Sequence, residues 1–194
     1  VNEKAIIVPN SLYERKYEEK LMDFNFINPG SYTTNSELSY LDSKIVWSMN
    51  KEVFQFLSRS LLNPNFKNHL SLLIPYLYNN YHNKHSSSLF INFNDDNMMD
   101  CVAFRKKGLL LAKTFIIENP LEGYYFIQKV WNELRMNTAN DSLFFSDRTT
   151  KYDSSIELSK KIIPECRNID INITNENSRE EKLPIEITII YENY

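Results

Sequence analysis

LFINFNDDNMMDCVAFRKKGLLLAKTF, residues 89–115, contains three apolar runs separated by two polar turns. The runs Leu89–Phe93, Met98–Phe104 and Leu109–Phe115 have the length and composition of strands. The second turn ends at Gly108, and glycine suits a tight hairpin because it accepts a positive φ. The stretch therefore predicts three consecutive antiparallel strands, a β-meander.

The segment after the meander carries the strongest helix signal of the chain. Asn119 suits an N-cap, Pro120 the first helical position and Glu122 the third. Apolar residues then recur on one face, at Tyr124, Ile127, Val130, Trp131 and Leu134. A helix is predicted from Pro120 to about Met136.

Strand and helix patterns alternate beyond that helix. A strand is predicted at Ser142–Ser146 and another at Asn168–Ile173. Between them Ser154 and Glu157 have capping-box spacing, which predicts a helix ended by Pro164. Its inward residues are predicted to be Leu158, Ile162 and Ile163.

The order from Leu89 onward is therefore β-β-β-α-β-α-β. It predicts an α/β fold with a mixed sheet and helices on its faces, the order of the ribonuclease H-like core. Residues 174–182 are charged and predict a loop or a disordered segment, and residues 183–191 predict an extended one.

The first part of the chain predicts a second, smaller set of elements. Strands are expected at Lys4–Val8 and Ile45–Met49, and a loop with at most one irregular strand at residues 31–42. A capping box at Ser11 predicts a helix to about Leu21.

Asn50 predicts the start of a second helix, and Leu70–Tyr81 predicts a third that contains Pro75. The second helix is expected to carry Val53, Phe54, Leu57 and Leu61 on one face. A polar connection follows at residues 82–88. We place the domain boundary there, with one domain at residues 1–86 and the other at residues 87–194.

Composition excludes several classes of function. The 194 residues carry a net charge of −3 and no basic stripe, which disfavours a nucleic-acid partner; Arg105-Lys106-Lys107 reads as a solvated turn. No apolar run is long enough to span a membrane, and the start of the chain does not read as a signal peptide. Two isolated cysteines, Cys101 and Cys166, fit a cytoplasmic location.

Several segments resemble one known family. The quoted residues are LLLAKTF (109–115), GYYFIQKVWNEL (123–134), DSLFFSD (141–147), NIDIN (168–172), IIVPNSLYERK (6–16) and IVWSMNKEVFQFL (45–57). They resemble a Bacteroidetes domain family of unknown function with an actin-like ATPase fold, distantly similar to the cytoplasmic pilus-assembly ATPase-like proteins. The resemblance implies residues 1–86 as an incomplete first actin-like subdomain and a chain that is truncated or matured at its N-terminus relative to the pattern.

The same resemblance implies where nucleotide loops would lie. The second phosphate loop would be the turn at Asn94–Asn97, where Asn92 replaces the usual aspartate, Asp95 and Asp96 add negative charge, and no glycine follows. The adenosine loop would follow Ser142–Ser146, again without paired glycines. Phosphate loops need glycine so that backbone N–H groups can approach the anion. We therefore expect no cofactor and no catalytic residue, and we favour a protein that is not an enzyme.

The sequence supports a nuclease site or a calcium loop even less. A nuclease would need carboxylates at Asn92 or Phe93, at Glu122 and at Asp147, but the first position holds an amide or a ring. A calcium loop counted from Asn92 lacks the required glycine and ends on Ala103.

Neither histidine nor serine spacing supplies a site. His69, His82 and His85 read as solvated loop residues, no Ser-His-Asp or Cys-His set stands out, and Cys101 reads as a core residue. Asn140 and Asn172 match glycosylation acceptors that a cytoplasmic protein would not use.

Function is therefore predicted to lie in protein contacts. The tyrosine-rich segment Pro75–Tyr81 is the candidate partner surface, because tyrosine is enriched at interfaces. The leading prediction is a non-catalytic scaffold or adaptor with an unidentified protein partner. A weak ATP-binding module is the alternative, and a homodimer stays open.

Overall fold

The structure, a computed structural model, describes residues 4–38, 41–82, 86–94, 97–106, 108–147 and 150–169. The chain divides into two compact units, residues 1–75 and 76–194. The domain boundary predicted after residue 86 stays a prediction. The segments at 174–182 and 183–191, and most of the strand predicted at Asn168–Ile173, lie outside the described residues.

A three-stranded antiparallel sheet forms the first unit. Its strands are β1 (Ala5–Pro9), β2 (Tyr32–Leu38) and β3 (Ser43–Met49), in the order β1-β3-β2. The central strand β3 is buried because neighbours cover both of its edges, and Trp47 has no exposed surface. Both predicted strands are confirmed. Residues 31–42 contain the one strand that the prediction allowed, but β2 is regular and pairs with β3 along its whole length.

The first predicted helix starts later than expected. Helix α1 spans Glu18–Asn25, and two short 3-10 turns precede it, at Asn10–Leu12 and Arg15–Tyr17. Tyr13 between them is extended, and its hydroxyl donates to Glu18 and accepts from Asn35 Nδ2 at 3.1 Å. These distant contacts outweigh the local capping signal at Ser11, which makes no cap.

Helices α2 (Lys51–Ser60) and α3 (His69–Tyr81) complete this part of the chain. Asn50 caps α2 as predicted, accepting from Glu52 N at 2.7 Å and Val53 N at 3.1 Å. No residue of α2 is fully buried, and on its apolar face Phe54 and Leu57 are half-buried whereas Val53 is exposed. Helix α3 contains Pro75, as expected.

The second unit contains a five-stranded mixed sheet. Its strands are β4 (Ser88–Phe93), β5 (Met98–Arg105), β6 (Gly108–Ile116), β7 (Ser142–Asp147) and β8 (Cys166–Asn168), in the order β6-β5-β4-β7-β8. Strands β4, β5 and β6 pair antiparallel, whereas β7 pairs parallel with β4 and with β8. The predicted meander and the mixed α/β architecture are confirmed.

Helices α4 (Pro120–Glu133) and α5 (Asp153–Lys160) cover one face of this sheet. The helix predicted from Pro120 is confirmed, and its residues Ile127, Val130 and Trp131 are buried with the odd-numbered residues of β4 and β5. Gly123 lets α5 approach closely, since a Cβ there would lie 3.2 Å from Ser155 Oγ.

The capping box predicted at Ser154 is wrong. Helix α5 starts at Asp153 without a side-chain cap, and Ser154 is exposed inside it. The preceding residue, Tyr152, is 1% exposed, and burial of its ring fixes the rotation of the helix. As a result Ile156 and Ile163 face inward as part of the core, whereas Ile162, predicted inward, is 47% exposed.

Among the described residues, no helix is long and apolar enough to cross a membrane.

Candidate functional site

The turn between β4 and β5 occupies the position predicted for a phosphate loop. Asn94 N donates to Met98 O at 3.0 Å, and Met98 N donates to Asn94 Oδ1 at 3.1 Å. Asn97 has φ of 56°, a left-handed conformation that asparagine tolerates. The predicted hairpin is therefore confirmed at both of its ends, while Asp95 and Asp96 at its tip lie outside the described residues.

Asn92 has a structural partner. Its Nδ2 donates to Asp100 Oδ2 at 3.2 Å, and Thr114 Oγ1 donates to Asp100 Oδ1 at 2.6 Å. Asn92 and Asp100 are 7% and 0% exposed. The three residues form a polar row across β4, β5 and β6. An amide is required at residue 92, because a carboxylate there would face another carboxylate.

An aromatic ring covers the end of β4. Tyr152 stacks on Phe93 with ring centroids 4.6 Å apart and an interplanar angle of 10°. The Asn97 side-chain oxygen accepts from Lys151 Nζ and, at 3.4 Å, from the Tyr152 hydroxyl. The segment after β7, where an adenosine loop was considered, thus contacts the hairpin directly. Residues 148 and 149 lie outside the described residues.

The carboxylates considered for a nuclease have other positions or roles. Glu122 Oε2 accepts from Glu118 N at 2.7 Å, and Glu122 N donates to Asn119 Oδ1 at 3.1 Å, so Glu122 belongs to the predicted helix cap. Asp147 ends β7 and is the register partner of Phe93. Within the described part of the chain, no three His, Cys, Asp or Glu residues are grouped to hold a metal ion.

Histidine and cysteine residues lie in the packed interior more than expected. His69 is 3% exposed, so the solvated-loop prediction is wrong for it; His82 lies in a loop, is half-buried and stacks on Tyr78 at 4.8 Å, and His85 lies outside the described residues. Cys101 is buried as predicted, and burial raises the pKa of its thiol well above the usual value. Burial also raises the pKa of Cys166 to about 11, so neither thiol is activated as a nucleophile.

The basic run at residues 105–107 is only partly the solvated turn that was predicted. Arg105 donates through its terminal nitrogen to Leu134 O at 2.8 Å and through Nε to Ser87 Oγ at 3.3 Å. This arginine joins β5 to the end of α4, whereas Lys106 is exposed and residue 107 lies outside the described residues.

The predicted partner surface at Pro75–Tyr81 stays a prediction, and its tyrosines are half-buried by contacts within the second unit. Tyr81 contacts Phe90 and Phe144 at centroid distances of 6.1 and 5.8 Å, and Tyr78 contacts Phe104 at 5.6 Å. The even-numbered face of the second sheet carries these phenylalanines, and the tyrosines cover them. Tyr78 and Tyr81 are consequently packing residues of the second unit.

A cluster of half-buried aromatic rings lies in the first unit. Tyr32 of β2 stacks on Phe54 of α2 at 3.7 Å, and Phe54 contacts Phe66 at 5.2 Å. These rings line an open cleft of about 470 Å³, which we call the aromatic cleft. Its other lining residues are Thr34, Asn35, Ser58, Pro64 and Asn65.

Other apolar side chains of α2 and the following loop are exposed outside the cleft, and Phe56 lies about 200° around the helix from Phe54. Val53 is 48% exposed, Phe56 68% and Leu62 94%. Val53 and Phe56 are three residues apart and so are neighbours on the helix surface. We call these three exposed residues, Val53, Phe56 and Leu62, the α2 surface. The apolar face predicted from the sequence contains Val53 but neither Phe56 nor Leu62.

A part-buried polar network joins Asn35, which lines the cleft, to Tyr13 and Glu18. Asn35 Nδ2 donates to Glu18 Oε1 at 2.8 Å as well as to Tyr13. Burial, together with the hydrogen bond and charge of Glu18, raises the pKa of Tyr13 to about 12. The network fixes β2 against α1, so the cleft is preorganised from one side.

The chain matches a family model described as "Protein of unknown function (DUF3822)" over residues 1–166. It is similar to a crystal structure at 1.85 Å of a Bacteroides thetaiotaomicron protein with an actin-like ATPase fold and unknown function. That likeness has a TM-score of 0.84 and 18% identity, covering 98% of this chain and 70% of the other. The fold is therefore that of the actin-like ATPases, as predicted.

A second likeness is to a chain of the PilM-PilN type IV pilus biogenesis complex. Its TM-score is 0.53 with 11% identity, covering 86% of this chain and 65% of the other. No curated protein matches the chain.

Proposed function

This chain belongs to the DUF3822 family, and on that premise we propose that it is a non-catalytic protein of the actin-like ATPase fold that acts as a scaffold or adaptor. In this proposal it works in the cytoplasm through contacts with another protein, and it hydrolyses no nucleotide and binds no nucleic acid.

The chemistry at the β4–β5 hairpin supports the non-catalytic part. The strand-end position carries Asn92, whose amide is engaged by Asp100. The adjoining turn has no glycine that would let backbone N–H groups surround a phosphate. Asp95 and Asp96 in that turn would repel an anion, since like charges a few ångströms apart are unfavourable.

The α2 surface is the single observation that carries the adaptor proposal. A helix with a strong apolar face normally buries that face, because burial contributes about 25 cal/mol per Å². Here α2 buries no residue, and Phe56 and Leu62 stay largely in solvent. Exposed apolar side chains of this size are typical of protein–protein contact sites.

The likeness to a chain of the PilM-PilN complex also supports the adaptor proposal. That chain is part of a complex between two different pilus-biogenesis proteins. An actin-like ATPase fold can therefore serve in a protein complex, which is the role proposed here.

Affinity capture with surface variants tests the adaptor role. We expect a protein that the wild-type chain retains from a native extract to be lost with Phe56→Asp and with Leu62→Asp. Leu121→Asp is the matched control, since Leu121 of α4 is also exposed, at 67%, but lies outside the α2 surface. Equal capture by all four chains, or no specific capture at all, would contradict the proposal.

Thermal unfolding with Mg-ATP tests the alternative of a weak ATP-binding module. A ligand at 100 times its Kd stabilises the native state by about 2.7 kcal/mol, which raises the Tm by about 5–10 °C in a chain of this size. We expect no measurable shift. A reproducible increase of several degrees would establish nucleotide binding and remove the basis for a nucleotide-independent adaptor.

A further inference from the structure

Strand β6 lies at an open edge of the second sheet. Its nine residues, Gly108–Ile116, pair with β5, and no other described strand pairs with them. Open edges are normally protected by charged residues or proline. β6 contains no proline, and Lys113 is its single charged residue.

The hydrogen bonding fixes which peptide groups face outward. Ile117 N donates to Asn97 O at 2.8 Å, so the backbone groups of residue 117 point toward β5. Backbone groups alternate in direction along a strand, so those of Phe115 and Lys113 also point toward β5. The N–H and C=O groups of Ala112, Thr114 and Ile116 therefore point toward the open edge.

We infer that β6 pairs antiparallel with β6 of a second copy of this chain, with Thr114 opposite Thr114 of the second copy. In that register Ile116 lies opposite Ala112, and every outward peptide group of the three residues gains a partner. The irregular pairing at Ala103/Phe104, near the start of β6, stays outside the contact.

Side-chain chemistry selects a second copy in this register. Ile116 is 76% exposed and would pack beside the small Ala112 side chain. Lys113 would lie opposite Phe115, not opposite a second lysine, and its ammonium group already lies 5.1 Å from the Phe115 ring of its own strand. Threonine pairs and aromatic pairs across strands are favourable, whereas opposed like charges are not. The strand is thus complementary to itself.

The inference does not depend on the α2 surface. Loss of the heterologous partner with Phe56→Asp would leave the β6 pairing intact, and loss of the β6 pairing would leave capture by the α2 surface to be measured separately. The two proposals can therefore fail independently.

Sedimentation velocity on paired variants tests the register. We expect the wild type to approach twice the 23.0 kDa chain mass as its concentration rises. The double variant Ala112→Lys with Ile116→Lys sets two lysines of the two copies opposite each other, so it should be a monomer. Ala112→Lys with Ile116→Glu changes the sign of one charge and should restore the dimer. A monomeric wild type at every soluble concentration, or the same association state for both variants, would overturn the inference.

Hydrogen exchange on the wild type tests the inference without mutation. The Ala112, Thr114 and Ile116 amides should exchange more slowly as protein concentration rises, whereas those of Lys113 and Phe115 should not change, because they already bond to β5. Exchange of the outward amides that is independent of concentration would overturn the inference even if a variant failed to fold.

Discussion

Asn92→Asp tests whether the amide of the Asn92–Asp100 pair is structurally required. The substitution keeps the shape of the side chain, so it creates no cavity. It replaces an N–H donor, 3.2 Å from Asp100 Oδ2, by an acceptor. It also supplies the strand-end aspartate expected of an actin-like ATPase. The variant therefore shows whether the stability of this protein depends on the amide or whether the usual aspartate would serve equally well.

The expected cost follows from burial of both side chains. At about 3.2 Å and an effective dielectric constant near 20, two carboxylates repel by about 5 kcal/mol. The variant can avoid this repulsion if one carboxyl takes up a proton, which costs about 4 kcal/mol at pH 7 for an ordinary aspartic acid. The cheaper route sets the outcome, and we expect the free energy of unfolding to fall by about 3–4 kcal/mol at pH 7.

Proton uptake makes the effect depend on pH. The native variant would bind one more proton than its unfolded state, so its stability relative to wild type decreases as pH rises. At pH 5 protonation costs only about 1.5 kcal/mol, and the protonated carboxyl can donate to its neighbour. The difference between variant and wild type should therefore shrink on going from pH 7 to pH 5.

Urea denaturation of four chains measures these quantities. The matched control is the exchange of both side chains, Asn92→Asp with Asp100→Asn, which restores an amide next to a carboxylate. We expect this double variant to recover to within about 1 kcal/mol of wild type, although each single variant is unstable. If Asn92→Asp is as stable as wild type at pH 7, or if the double variant is no better than Asn92→Asp, the structural role assigned to Asn92 is wrong.

Three further substitutions have defined outcomes. Gly30→Ala would place a Cβ 2.4 Å from a carbonyl oxygen of β3, so we expect a loss of about 1–3 kcal/mol in urea denaturation; an unchanged midpoint would contradict this close approach. Because the pKa of Tyr13 is raised to about 12, its ionisation removes stability as pH rises from about 10 through 12, and Tyr13→Phe should unfold with a flatter dependence on alkaline pH. An identical alkaline slope in both chains would show that Tyr13 ionises normally. Tyr152→Ala should cost about 3–5 kcal/mol and Tyr152→Phe less than about 1, because the stacked ring and not the hydroxyl fills the site; equal losses would assign the stability to the hydroxyl.

The sequence alone predicted much of the second sheet and little of the functional surface. The meander, the order of elements and the start of α4 at Asn119 follow from local patterns, namely apolar runs, turn residues and caps. At the turn that corresponds to a phosphate loop of the actin-like ATPases, the sequence showed that the usual aspartate and glycines are missing. It did not show that Asp100 engages the amide of Asn92, since that contact depends on the pairing register of two strands.

Tertiary structure alone decided where apolar side chains go. In sequence the apolar face of α2 and the tyrosines of α3 do not show which partners they have, and in the structure Phe54 and Tyr81 are both half-buried against other rings. An apolar pattern specifies that a face prefers burial, but whether a surface is available to cover it depends on elements distant in sequence. The sequence by itself thus determined which segments form strands and helices. The fold decided that Tyr81 covers Phe90 and Phe144, whereas Phe56 stays in solvent.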